Sequence, residues 1–230
     1  MAGKTIVVLG GGVGGLVASN ELRKRLGREH RIVLVDKETR HVFAPSFTWV
    51  MLGWRDPPRI SRELGLLAKK GIEYVNAEAF EIDPGNRLVK TGAGDFAYDY
   101  LIVALGAELN PQAVPGLSEA AHTPYSLEGS VALRDTLKGF DGGKVAVVIS
   151  ALPFKCPAAP YEAALLLEYA FRQKGIRDRV DLRVFTPEPL PMPVAGSGVG
   201  TAVKQFLDER GIGFHPQHKL SSVDPGKKEI

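Results

Sequence analysis

Two stretches of this chain combine residue types that could do chemistry. The first is Gly10-Gly11-Gly12-Val13-Gly14-Gly15, with G-x-G-x-x-G at positions 10, 12 and 15. Gly10 permits a tight turn, Gly12 lets backbone approach a pyrophosphate, and Gly15 lets a helix pack close to a strand. A helix starting there presents free N–H groups and its positive dipole end to a phosphate. Asp36 stands 21 residues after Gly15, at the end of the next apolar run. There its carboxylate can accept hydrogen bonds from ribose hydroxyls. Gly14 and Lys37 are counted with this site. Strand before, helix after, Ala18 on the helix and an acid at this distance predict a dinucleotide site. The alternative is a glycine turn with no ligand.

The second stretch is Lys155-Cys156-Pro157-Ala158-Ala159-Pro160-Tyr161-Glu162, which follows the apolar run 145–149 and enters a helix. Cys156 is the chain's one cysteine. A neighbouring cation and a helix N-terminus both favour the thiolate, the form that attacks sulfur. Pro157 and Pro160 suit a first helical turn. From the residues alone two readings stay open: a reactive thiol, or a small buried hydrophobe. Glu162 is likewise open, either moving protons or serving as an acid that complements the helix dipole.

The elements that must hold these groups follow from the apolar pattern. Residues 5–9 and 31–35 read as buried strands with a helix between them to about residue 26, a βαβ unit. Residues 41–54 read as an aromatic loop with Phe43, Pro45, Phe47, Trp49 and Trp54, and residues 59–70 as an amphipathic helix ended by Gly71. Short strands are expected at 72–75, 79–82, 88–91 and 96–98, as a small meander. A buried strand over 99–105 then closes at Gly106. Residues 110–124 are loop-rich and mark a boundary before a helix over 126–138. A second βαβ set has strands at 144–149 and 180–185 and helices at 159–174 and 199–210. Residues 221–230 read as the strand and turn of a hairpin without its return strand, so a fragment or incomplete version of a longer protein is expected. The predicted fold class is α/β with two Rossmann-like βαβ domains, 1–115 and 116–230, the second incomplete and carrying the cysteine motif.

Composition narrows the function classes. The 230 residues are 44% hydrophobic and 24% charged, as in an ordinary globular protein. A net charge of +3 is too small to argue for nucleic acid. One cysteine forms no internal disulfide. Arg23, Lys24, Arg25 and Arg28 read as a solvated helix face, with a weak contact to an anionic membrane as the alternative. Met1-Ala2-Gly3-Lys4 leads straight into the first strand without a signal-peptide pattern. No apolar run approaches a membrane span. His215 and His218 have no ligand cluster around them in sequence, so no metal site is expected.

The closing strand Leu101-Ile102-Val103-Ala104-Leu105-Gly106, after a meander, resembles the pyridine nucleotide–disulfide reductase superfamily. The resemblance implies that the first site takes FAD, approached by Ala104, Leu105 and Gly106. It matches Ala79 to the backbone position that meets adenine, and Pro45 and Ser46 to a loop beside the flavin. A second glycine loop, for a nicotinamide pyrophosphate, belongs after the strand of the second domain. Residues 150–162 hold no glycine there, which marks a degenerate NAD-type domain.

The Lys155-to-Glu162 segment, with Pro187-Glu188-Pro189, is similar to the sulfide:quinone oxidoreductases and their flavocytochrome sulfide dehydrogenase relatives. This implies that Cys156 is one of a redox pair on the flavin face and that polysulfur grows between the two cysteines. Two electrons then pass to FAD and on to quinone, with Glu162 matching a family acid near the site. The partner cysteine, a Gly-Asp flavin segment and the quinone-binding part would lie beyond Ile230. Some members attach FAD through an earlier cysteine; residues 122–128 have none, with Tyr125 near that place, so the FAD is expected to be noncovalent. Met192-Pro193-Val194 stands where some members carry a histidine. The implied substrates are sulfide and quinone. The implied location is cytoplasmic, with peripheral membrane contact on the inner face through the C-terminal region, and a homo-oligomer is left open. Rival readings are a type II NADH dehydrogenase-like enzyme, which needs the absent second glycine loop, a flavocytochrome subunit, and a flavin-binding module without catalysis.

Overall fold

A computed structural model describes residues 3–230. Met1 and Ala2, the start of the lead-in read from the sequence, lie outside the described residues. The packing divides into two units. One runs up to Phe43 and resumes over Pro57–Leu109; the other comprises Ala44–Asp56 and Asn110–Ile230. Residues 44–56 thus pack with the second unit, where the sequence reading had kept them in the first.

In the first unit, β1 (Thr5–Leu9), α1 (Val13–Arg25) and β2 (Arg31–Asp36) form the expected βαβ unit. β3 (Arg40–Val42) pairs antiparallel with β4 (Ser61–Glu63). β5 (Glu73–Asn76) is followed by an antiparallel sheet of β6 (Ala79–Asp83), β7 (Leu88–Thr91) and β8 (Gly94–Ala97), then by β9 (Tyr100–Val103). The parallel sheet has the order β5-β2-β1-β9.

The continuous apolar runs of β1 and β2 are explained by burial on both sheet faces. Ile6, Val8, Ile32 and Leu34 point one way and pack with Leu16 and Leu22 of α1 and with Leu64 and Leu67. Val7, Leu9, Val33 and Val35 point the other way, against Val89 and Phe96 of the antiparallel sheet.

Three expectations for this unit are corrected. Residues 59–70 do not form one amphipathic helix. Ser61–Glu63 satisfies its backbone by pairing with β3, and Leu64–Lys70 winds as a 3-10 helix, still ended by left-handed Gly71. The buried residues Ile60, Leu64 and Leu67 supply the apolar periodicity without an α-helix. The strand near 72–75 leaves the meander and joins the parallel sheet beside β2, with Leu34 opposite Tyr74. The strand read over 99–105 spans only Tyr100–Val103 and is not buried: as the edge strand, it leaves Tyr100 61% and Val103 56% exposed.

The second unit contains α2 (Phe47–Met51), inside the stretch read as an aromatic loop. Its Phe47, Val50 and Met51 are buried, which is why the segment coils instead of running free. α3 (Leu117–Ala120) is short. α4 (Leu127–Gly139) starts at Ser126, whose Oγ accepts from Gly129 N at 3.0 Å. β10 (Gly143–Val148), α5 (Ala159–Gln173), β11 (Val180–Phe185), α6 (Ser197–Asp208) and β12 (Gly213–His215) follow. The sheet is parallel in the order β10-β11-β12.

Val180, Leu182 and Val184 alternate toward Ala163, Ala164, Leu167 and Phe171 of α5, while Asp181 and Arg183 face away, exposed. Only one face of this sheet is covered, so β10 is half-buried where full burial was expected; Ala146 is exposed between Val145 and Val147. β12 has no counterpart in the sequence reading, because three residues before Pro216 are too few to show a period. The expected strand at the end of the chain is a turn instead. Asp224 Oδ1 accepts from Gly226 and Lys227 N–H, closed by one bridge to Glu229.

Candidate functional site

The glycine stretch becomes the turn between β1 and α1. Gly10 N donates to Val35 O at 2.9 Å, and its φ of +99° lies in the region glycine favours. A β-carbon there would meet Ala104 O at 2.4 Å, and one at Gly15 would meet Gly10 O at 1.8 Å. Both glycines are therefore required by close backbone packing. At Gly12 a β-carbon would meet nothing within 4 Å, and at Gly14 only Ala104 Cβ, at 3.6 Å. The space over Gly12 is a cradle that a side chain would fill. Gly12 caps α1 without any side-chain cap, and the first turn carries no acid. Its N–H groups and the dipole are thus left for an anion.

Asp36, at the end of β2, holds this turn in shape. One carboxylate oxygen accepts from Gly11 N–H, and the other accepts from Glu38 N at 2.7 Å. A carboxylate has about four acceptor positions, so capacity for ribose hydroxyls remains. His41 Nδ1 donates to Gly11 O at 3.0 Å, so the next peptide of the turn is held as well. Nothing in the sequence spacing pointed to His41. Lys37 is exposed beside Asp36, and Ala79 opens β6, half-buried, opposite Thr91. Ala104 N donates to Leu9 O at 2.8 Å, which brings the chain after β9 against the glycine turn; Leu105 and Gly106 follow, exposed. Gly10, Gly12, Gly14, Gly15, Asp36 and Ala104 thus form one cluster. The cluster fits the pyrophosphate and ribose of a dinucleotide.

In the second unit, Cys156 is exposed, which removes the buried-hydrophobe reading. It has a φ of +55° and precedes α5, where Ala159 N donates to Cys156 O at 3.0 Å. The Lys155 ammonium lies 5.7 Å from the centre of the Tyr125 ring. The Tyr125 hydroxyl donates to Lys155 O at 2.9 Å and lies 3.4 Å from Cys156 O. Burial, with a smaller contribution from negative charge at Cys156, pushes the Tyr125 phenol up to about 12.

Glu162 is exposed in the first turn of α5, and its Oε1 accepts from the buried Thr48 Oγ1 at 3.0 Å. Ser46 is buried, with Arg55 Nη1 donating to its Oγ at 3.3 Å, and Pro45 beside it is exposed. Pro45 and Ser46 thus belong to the unit that carries Cys156 and Glu162. Glu188 of the Pro-Glu-Pro stretch is buried and accepts from the Tyr161 hydroxyl at 3.1 Å. Burial and the Glu188 charge push the Tyr161 phenol up. Tyr125, Thr48 and the Tyr161–Glu188 pair are partners that the sequence reading did not assign. Among the described residues no group of three or more His, Cys, Asp or Glu could hold a metal ion. No helix of the described residues is long and apolar enough to cross a membrane.

Residues 4–230 match the model of the family described as pyridine nucleotide-disulphide oxidoreductase. Over 230 residues the chain is 33% identical to the sulfide-quinone reductase of Aquifex aeolicus, covering 97% of this chain and 53% of that relative. It is 30% identical over 207 residues to an alternative NAD(P)H-ubiquinone oxidoreductase of Arabidopsis thaliana, covering 77% of this chain and 38% of the relative. The solved structure of the Aquifex aeolicus sulfide:quinone oxidoreductase superposes with a TM-score of 0.89 at 30% identity, over 96% of this chain and 53% of that one. The chain spans about half, or less, of the length of the curated relatives it matches. It follows from the matched residues and the two parallel sheets that the chain belongs to the pyridine nucleotide-disulphide oxidoreductase family.

Proposed function

We propose that this chain supplies the FAD-binding and sulfur-handling parts of a sulfide:quinone oxidoreductase. The observation that carries the reading is the segment after β10. A nicotinamide-using second domain needs a glycine loop there. Residues 150–162 have none and instead present an exposed cysteine just before α5. Similarity to the sulfide-quinone reductase over 97% of the chain supports the same reading.

The first unit would hold FAD. Backbone N–H groups around Gly12 and the α1 N-terminus would take its pyrophosphate, and the free acceptor capacity of Asp36 would take a ribose. Gly10, Gly14, Gly15, Lys37, Ala79, Ala104, Leu105 and Gly106 complete the proposed FAD contacts, with Pro45 and Ser46 as a proposed flavin-side loop. With no cysteine at residues 122–128, the FAD would be held noncovalently. Bound FAD would supply a two-electron acceptor that passes electrons on to quinone.

Cys156, an exposed thiol, would carry the sulfur: joining its Sγ to a sulfide sulfur releases two electrons and the protons of both partners, and so needs the two-electron acceptor that FAD would supply. Sulfide oxidised to the level of elemental sulfur gives up two electrons and its protons, and quinone takes up two electrons and two protons to become quinol. Glu162, whose Oε1 accepts from Thr48 Oγ1, would accept and release a proton as sulfur bonds form at this segment. Quinone as substrate implies a peripheral position at a membrane. In an anaerobic cuvette, sulfide and not NADH is expected to bleach the flavin of the FAD-loaded protein. Bleaching by NADH alone would overturn the proposal in favour of a nicotinamide dehydrogenase with an unusual phosphate loop.

A further inference from the structure

We propose that Tyr125 is a positioning residue for Cys156: its phenol clamps the peptide that carries the thiol in a left-handed conformation. The inference rests on the sulfur-handling role of Cys156, but its test does not need sulfide.

Cys156 has a φ of +55°, a conformation that non-glycine residues adopt only when their surroundings enforce it. Two contacts surround it. On its C-terminal side, Ala159 N–H donates to Cys156 O at 3.0 Å as the chain enters α5. On the other side the Tyr125 hydroxyl donates to Lys155 O at 2.9 Å and sits 3.4 Å from Cys156 O. One phenol therefore reaches the carbonyls of both peptides that meet at the Cys156 α-carbon. The Lys155 ammonium rests over the same ring, 5.7 Å from its centre, so the side chain beside the cysteine is gathered by Tyr125 as well.

Tyr125 can do this because it is itself fixed. Its N–H donates to Thr123 Oγ1 at 3.2 Å, and Ser126 next to it caps α4 through Gly129 N at 3.0 Å. The clamp reaches from the start of one helix to the approach of another. The consequence is chemical: an exposed thiol on a loop would sample many directions, whereas a thiol on a fixed left-handed residue presents one.

The test uses the chain's single cysteine, because labelling with 13C-cysteine gives one Cα/Cβ pair of NMR signals. In the wild-type protein those shifts are expected to carry the left-handed signature. Tyr125→Phe keeps the ring and the Lys155 contact but removes the donor. It is expected to lower the ratio of left-handed to other Cys156 conformers about fivefold, the change that one hydrogen bond of ordinary net strength governs. The melting temperature should move little, because only the hydroxyl is removed. Thr123→Ala, which loosens the ring without touching the phenol, should move the same signals in the same direction by less, and it serves if the phenylalanine variant does not fold. Cys156 shifts in either folded variant that match the wild type would overturn the clamp. A moved signal together with unchanged sulfide reactivity would leave the clamp standing and count against the proposed role of Cys156 instead.

Discussion

The glycine turn makes a paired prediction in which two alanine substitutions, three residues apart, fail in different ways. At Gly15 an added β-carbon would lie 1.8 Å from Gly10 O, a backbone atom. A carbon–oxygen contact needs roughly 3.3 Å, so α1 would have to retreat from the turn by roughly 1.5 Å. Overpacking of this kind costs about 3 kcal/mol or more. In a chain of this size that lowers the melting temperature by about 6 to 12 °C. At Gly12 the same atom would meet nothing within 4 Å, and φ −68°, ψ −173° is extended backbone open to alanine. Stability should stay within about 1 kcal/mol of wild type, a small unfolded-state gain set against a poorer N-cap. FAD binding should nevertheless weaken, because the β-carbon fills the approach of the pyrophosphate. Losing one charge-assisted contact there corresponds to about 10- to 100-fold in affinity. Thermal melts of the flavin-free protein and a fluorescence titration with FAD separate the two outcomes. FAD affinity of Gly12→Ala equal to wild type would show that the pyrophosphate does not lie over Gly12. A Gly15→Ala protein melting with the wild type would show that α1 does not pack as described.

Further substitutions probe other parts of the chain. Ser126→Ala removes the acceptor for Gly129 N and should destabilise α4 by about 1 kcal/mol, read as a shift in the urea midpoint. Tyr161→Phe leaves buried Glu188 without that hydroxyl donor and should cost about 1 to 3 kcal/mol by the same measurement; a neutral result would contradict the pairing. Asp99 accepts from Lys4 Nζ and from Thr5 N, which hold its carboxyl below the usual range, the Lys4 hydrogen bond first. Its folded-state value is thus depressed, so its stabilisation is present above the ordinary carboxylate range and fades as pH falls through the folded value. Asp99→Asn should remove that acid-side slope from a pH series of melts, and a slope that persists in the variant would refute the assignment.

How much of this was legible in the sequence depended on where each residue's constraint came from. The turn at Gly10 to Gly15, the strands around it and Asp36 were readable because local geometry dictates them: a β-carbon at Gly15 clashes with Gly10, five residues away. The helical stop at Gly71 was readable for the same reason. What escaped depended on partners far along the chain. Ser61–Glu63 looked helical until Arg40–Val42 supplied a strand to pair with, and Glu73–Asn76 looked like part of a meander until β2 offered its edge. β9 reads as apolar as β1, yet it lies at an edge. In the candidate site the residues proposed to bear the chemistry, Cys156 and Glu162, stood out by type. The residues that hold them, Tyr125 and Thr48, are ordinary by type and stand 31 and 114 positions away in sequence. Only folding connects such pairs.

The most direct measurement of the central claim is anaerobic flavin reduction by sulfide in the FAD-loaded, full-length protein, compared with its Cys156→Ser variant. The account predicts rapid bleaching of the flavin absorbance by sulfide in the wild type. In the variant that bleaching should be lost, with FAD binding intact because the glycine turn and Asp36 are untouched. Sulfide bleaching that proceeds equally well without the Cys156 thiol would contradict the account.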